Sequence, residues 1–83
     1  MAKTDNNMAQ TIRVESAEYI DGIWVRATVK GIRFNGEYDV DIFYAEQGGS
    51  YTWHTTECEH VTCKRVSTIN KKLAARGFRC KVA

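Results

Sequence analysis

The stretch HTTECEHVTCKR, His54 to Arg65, holds both histidines and two of the three cysteines of the chain, and then turns basic. Thiolate and imidazole are ligands for zinc and partners in nucleophilic catalysis, so their spacing decides what the stretch could do. On an extended strand His54 and Cys58 stand about 13 Å apart, beyond the reach of one ion. Cys58 and His60 share a face about 6.6 Å apart, and Cys63 could join them where the chain turns. Structural zinc is commonly held by two ligand pairs from separate loops, and H-x3-C-x-H-x2-C is not of that kind. The plainer reading makes Cys63 and Cys80 small buried apolar side chains, and Cys58 and His60 residues at a strand end. No metal and no cofactor are expected.

Catalysis is not expected either. A thiolate at Cys58 or Cys63 beside His54 or His60 would need a cleft built from distant segments, and a small sheet with one helix leaves little room for a pocket. Asp39 and Asp41 fall on one face of a strand, where cross-strand neighbours including Lys30 make salt bridging the expected role. NGEYDV and EQGGSY read as hairpin turns and ARGF as a helix ending, so no phosphate loop occurs.

The elements that must position these residues follow from length and patterning. With 83 residues, 43% of them hydrophobic, the chain has material for one small core. Residues 1–10 (MAKTDNNMAQ) are polar and read as a disordered or extended segment ahead of a single domain over 11–83. Neither a signal peptide nor a membrane span is predicted, since the longest apolar run is Ile42 to Ala45. Three cysteines fit reduced thiols, so a soluble cytoplasmic protein without disulfides is expected.

Asp21-Gly22, Asn35-Gly36 and Gly48-Gly49 punctuate strand-favouring runs, and the first two are strong hairpin signals because a type I′ turn needs positive φ at both central positions. Four antiparallel strands are predicted, at about 11–20, 23–34, 37–46 and 51–60. A two-residue loop at Asn35-Gly36 sets Val29 opposite Ile42, Ala27 opposite Tyr44 and Lys30 opposite Asp41, matching apolar with apolar and plus with minus. The same count places Ile12, Val14, Val25, Ala27, Val29, Tyr38, Val40, Ile42, Tyr44 and Trp53 on a core face. Arg13, Glu15, Tyr19, Trp24, Arg26, Thr28, Lys30, Asp39, Asp41, Phe43, His54, Thr56, Cys58 and His60 fall on the other. The register through Gly48-Gly49 is the least determined, because a loop of three to five residues would move the fourth strand.

A helix is predicted over about 63–76, with Thr62 as N-cap, Val61 and Val66 as a hydrophobic staple, Gly77 at C′ and Phe78 touching Leu73. Val66, Ile69, Leu73 and Ala74 make its core stripe. The alternation of Phe78, Cys80 and Val82 with Arg79 and Lys81 predicts a short final strand, for an α+β fold of order ββββαβ.

Charge supplies the functional signal. Residues 1–61 contain all ten acids against five bases, while residues 62–83 contain seven bases, Lys64, Arg65, Lys71, Lys72, Arg76, Arg79 and Lys81, and no acid. Such a run points to an acidic partner, and bases in a helix's first turn, here Lys64 and Arg65, oppose its dipole. One reading is direct binding of DNA or RNA by the basic helix and tail, helped by aromatic residues on the sheet. Glu15, Asp39 and Asp41 on the same sheet face would repel phosphate, and no named nucleic-acid-binding motif is present. The favoured reading is a non-enzymatic protein-binding module whose anchors are Tyr19, Trp24, Arg26 and Phe43, residue types that dominate interface hot spots. A body polarised in charge would suit docking on a host protein or nucleoprotein complex. In size and type the chain is similar to the short, motif-poor inhibitors that phages and mobile elements direct at host machinery, anti-CRISPR proteins among them, a likeness that brings no site residues. An edge strand with few guards could also pair two copies.

Overall fold

The computed structural model describes residues 8–83. The expected disorder of the N-terminal segment falls largely on residues 1–7, outside the described residues; Met8 and Ala9 are exposed, and the first strand already begins at Gln10. Four strands, β1 (Gln10–Ile20), β2 (Ile23–Phe34), β3 (Glu37–Gln47) and β4 (Trp53–Cys63), form an antiparallel meander in the order β1-β2-β3-β4, followed by one helix, α1 (Val66–Ala75). The α+β class and the meander are as the patterning predicts.

Asp21 and Gly22 have φ of 51° and 88°, and Asn35 and Gly36 have 53° and 76°, so both dipeptides form the expected two-residue turns. They fix the register, with Val29 opposite Ile42, Ala27 opposite Tyr44 and Lys30 opposite Asp41. The third connection is longer. Gly48 N–H donates to Thr52 O at 2.7 Å and Tyr51 N–H to Gly48 O at 3.0 Å, with Tyr51 in the left-handed region at φ 60°. A β-bulge follows, since Tyr44 pairs with Glu57 but Ala45 with Thr55. The extra residue, Thr56, donates its hydroxyl to Tyr44 O at 3.3 Å. A one-residue insertion reverses side-chain parity. Trp53 therefore lies on the face away from the helix instead of in the core, and His54 moves to the helix side, while Cys58 and His60 keep the face expected of them.

The helix start also differs. β4 continues to Cys63, with Thr62 opposite Asp39, so Thr62 cannot cap a helix. Arg65 is the N-cap residue, without a side-chain cap bond, and no acid occupies the first turn. At the other end Gly77 has φ 92°, its N–H donates to Ala74 O at 3.0 Å, and Phe78 N–H donates to Leu73 O at 3.0 Å, the Schellman ending that was expected.

Residues 78–83 do not form the predicted strand. Side chains take the tail's main-chain groups instead: Val82 N–H donates to Asn70 Oδ1 at 2.8 Å, Asn70 Nδ2 donates to Val82 O at 3.1 Å, and Arg79 N–H donates to Glu18 Oε2 at 3.3 Å. The alternation still holds, because Phe78 and Val82 are buried while Arg79 and Lys81 are exposed. Helix and tail together cover one face of the sheet. Ile42, Ile69, Leu73, Val29 and Val40 are its most deeply buried side chains, each contributing about 1.5–3 kcal/mol by leaving water.

Candidate functional site

The face left open by the helix is built by alternation. Beside the Asp21-Gly22 turn, Tyr19 and Trp24 are direct cross-strand partners. Their rings meet edge to face, with centroids 5.5 Å apart and planes at 62°. Tyr19 is 63% and Trp24 45% exposed, and Ile23 in the same turn is exposed as well. This is an ordered apolar tip at the end of a long hairpin.

Behind the tip the face is occupied by its own charges. Arg26 lies with its guanidinium 4.6 Å from the centroid of Trp53 and its Nε 3.7 Å from Glu15 Oε2. Glu15 also accepts from the buried Thr28 hydroxyl at 3.2 Å and lies 3.9 Å from Arg13. The ammonium of Lys30 is 5.8 Å from the ring centroid of half-buried Phe43. Lys30 therefore does not bond Asp41, although the two are register partners. Asp41 and Asp39 instead clamp His60: Nδ1 donates to Asp41 Oδ1 at 2.7 Å, and Nε2 is 2.9 Å from Asp39 Oδ1. An ionised carboxylate can only accept, so the Asp41 bond calls for a proton on Nδ1, while Asp39 acts on the ring through its charge. The hydrogen bond to Asp41, opposed by partial desolvation and helped by the charges of Asp39 and Asp41, raises the imidazole above its ordinary value of 6.5.

A pH dependence follows. Because the folded value lies above the unfolded one, the stabilisation is fully present below about pH 6.5 and is lost as pH rises through the raised value. An NMR titration of the His60 ring protons should give a midpoint above 6.5, and Asp41→Asn should bring it down. A midpoint unmoved by Asp41→Asn would contradict the clamp.

The clamp also bears on the metal question. His60 points both nitrogens at carboxylates, and Cys63 lies on the opposite face, packed against the core with its thiol 3.3 Å from Arg65 O. Cys58, Cys63 and Cys80 are free thiols. Among the described residues, no group of three His, Cys, Asp or Glu side chains is placed to hold a metal ion.

The basic third is divided by the fold. Lys72 Nζ donates to Glu59 Oε2 at 2.7 Å, and Arg76 donates to Glu57 Oε2 at 2.7 Å. Arg76 also covers the Tyr44 ring at 3.9 Å. The hydrogen bond from Arg76 holds Glu57 below the usual carboxylate range, and Arg76 is raised in turn. Lys64, Arg65, Lys71, Arg79 and Lys81 are exposed, with no ion pair among the described residues. Lys64 and Arg65 stand at the uncapped helix start, Lys71 on its outer side, and Arg79 and Lys81 on the tail.

A cleft of about 450 Å³ opens between the hairpin tip and the end of α1, lined by apolar residues such as Ile20, Ile23 and Phe78 and by the charged Asp21, Arg26, Glu46, Lys72 and Arg76. It is larger than the sequence suggested, and falls in the size range of small-molecule sites. Neither histidine nor cysteine lines it. The buried Tyr44 hydroxyl beside it has no hydrogen-bond partner, and burial raises its pKa.

No protein-family model, no curated protein and no solved structure matches this chain. Among the described residues, no helix is long and apolar enough to cross a membrane. The residues that sequence reasoning missed are Trp53, as the platform for Arg26, and Glu57 and Glu59, as partners of the helix. The bulge and the helix position that create these roles leave no local signal in the sequence.

Proposed function

We propose that the protein is a non-enzymatic inhibitor or adaptor that docks on a host protein or nucleoprotein complex handling nucleic acid, with Tyr19 and Trp24 as its anchor. The carrying observation is the exposed, edge-to-face Tyr19–Trp24 pair at the hairpin tip. Two large rings already held in one arrangement lose little further freedom on binding, which is the character of a hot spot. The cleft next to the tip, part apolar and part charged, extends the surface. Arg26 and Phe43 serve this reading as the ordered floor behind the tip, through Trp53 and Lys30.

Direct nucleic-acid binding is supported less well, because Lys72 and Arg76 are committed to β4 carboxylates and the open face carries Glu15, Asp39 and Asp41. Its remaining support is the set of Lys64, Arg65, Lys71, Arg79 and Lys81. The two readings separate in a capture experiment from host lysate with tagged wild type and Trp24→Ala, each with and without nuclease. We expect a protein partner that survives nuclease and whose affinity falls roughly 30-fold or more with Trp24→Ala, the loss typical of a hot spot. Material that disappears on nuclease treatment, is unchanged by Trp24→Ala and is lost on reversing Lys71, Arg79 and Lys81 would overturn the proposal.

A further inference from the structure

The outer edge of β1 is an unguarded row of main-chain donors and acceptors. β1 runs eleven residues and pairs with β2 along its whole length without a register shift. It contains no proline, lysine or glycine. In a two-residue hairpin the residues flanking the turn, here Ile20 and Ile23, form a hydrogen-bonded pair, and such pairs alternate along the ladder. The even-numbered residues of β1 therefore direct their N–H and C=O groups to β2. Thr11, Arg13, Glu15, Ala17 and Tyr19 direct theirs outward. Among the described residues, no main-chain hydrogen bond from a turn, loop or the tail reaches them. The opposite edge differs, since β4 is interrupted by the bulge at Thr56, a feature that discourages edge pairing.

We propose that this edge pairs with β1 of a second copy of the chain, antiparallel, about a twofold axis at Val14. Self-pairing must set outward-directed residues opposite one another, which leaves only alternate registers. Centring on Arg13 or on Glu15 opposes each charge with itself, and centring on Ser16 sets Val14 against Glu18. Centring on Val14 places Arg13 opposite Glu15 of the second copy, and Glu15 opposite its Arg13. On the helix side it sets Val14 against Val14 and Ile12 near Ser16. Val14 and Ile12 are only half-buried in the single chain and pack at the margin of its core, so they gain cover. Opposite charges and apolar pairs directly across strands are the stabilising unit of a sheet.

The axis stands perpendicular to the sheet, so both helices lie on one side and both open faces on the other. Tyr19 of each copy is then about 33 Å from its counterpart along the strand direction. The pairing goes beyond the docking role and does not depend on it.

The test is specific to the register. In a non-hydrogen-bonded antiparallel pair the Cα atoms are about 4.5 Å apart, within the range a disulfide spans. In a Cys58→Ser background, Val14→Cys should form a cross-linked dimer under mild oxidation, while Ser16→Cys, which faces Ile12, should form none above background. By sedimentation, wild type should be a dimer, and Arg13→Glu, which sets an acid opposite Glu15 of the second copy, should weaken it about tenfold. Arg13 is exposed, and circular dichroism shows whether the variant keeps its fold. A wild-type chain that sediments as a monomer up to about 1 mM, where even weak pairing would register, overturns the proposal. So does a dimer that Arg13→Glu leaves intact, or one that cross-links equally through Ser16→Cys.

Discussion

Gly31→Ala should destabilise the protein by about 3 kcal/mol or more, at the upper end of what an added methyl costs in a packed interior. Gly31 sits mid-strand in β2, on the helix side, with Ile12 and Val40 as its register partners. A Cβ at this position would run into Asp39 O and the Val40 Cα, and would approach Val40 Cγ1 to 2.8 Å. The obstacle is main chain, held between two paired strands, and cannot turn aside as a side chain would. A domain of this size has a total stability of only about 5–10 kcal/mol, so the loss is a large share of it. Urea unfolding should show a lower midpoint with an unchanged slope. Gly49→Ala is the matched control, since its Cβ meets nothing within 4 Å, and it should change stability by less than about 0.5 kcal/mol. Equal midpoints for the two variants would contradict the close approach of β3.

That approach could not be read from the sequence, and it marks the limit of what was legible. Register across the first two hairpins was legible because Asp21-Gly22 and Asn35-Gly36 admit few other conformations, and a fixed turn fixes every pair that follows. The Tyr19–Trp24 pair is a direct product of that count. Past Gly48 the count failed for Trp53 and His54, because a bulge is an agreement between two strands and not a property of either. Thr62 resembled a helix cap locally, but β3 offered Tyr38 and Asp39 as partners, and the ladder continued to Cys63. The tail shows the same competition, with strand-like alternation but main-chain bonds taken by Asn70 and Glu18. The basic run looked like a single surface. Only the crossing of α1 over β4 reveals that Lys72 and Arg76 meet Glu59 and Glu57.

The helix is held by its packing, and Leu73→Ala should release it together with the tail. α1 has ten residues, no side-chain N-cap and no acid in its first turn, and lengths under about 12–15 residues are marginal in isolation. Its basic start opposes the dipole. What holds it is chiefly the buried pair Ile69 and Leu73, with the half-exposed ion pairs of Lys72 and Arg76 to β4 adding less. Leu73 is fully buried, and its carbonyl accepts from both Arg76 and Phe78, so it joins the core stripe to the turn that launches the tail. Removing its side chain leaves a cavity bordered by the sheet and should cost about 2–5 kcal/mol. The native cysteines report the outcome. Cys58 is exposed on the open face, whereas Cys63 and Cys80 are half-buried against the core at the start of the helix and in the tail. With a thiol reagent, wild type should show one fast-reacting group and two slow ones. In Leu73→Ala all three should react quickly, at reagent concentrations that leave the sheet's circular dichroism in place. If Cys80 stayed slow while the midpoint fell, the tail would be held on the sheet through Glu18 and its own buried Phe78 and Val82 without the helix, and the coupling between them would be wrong.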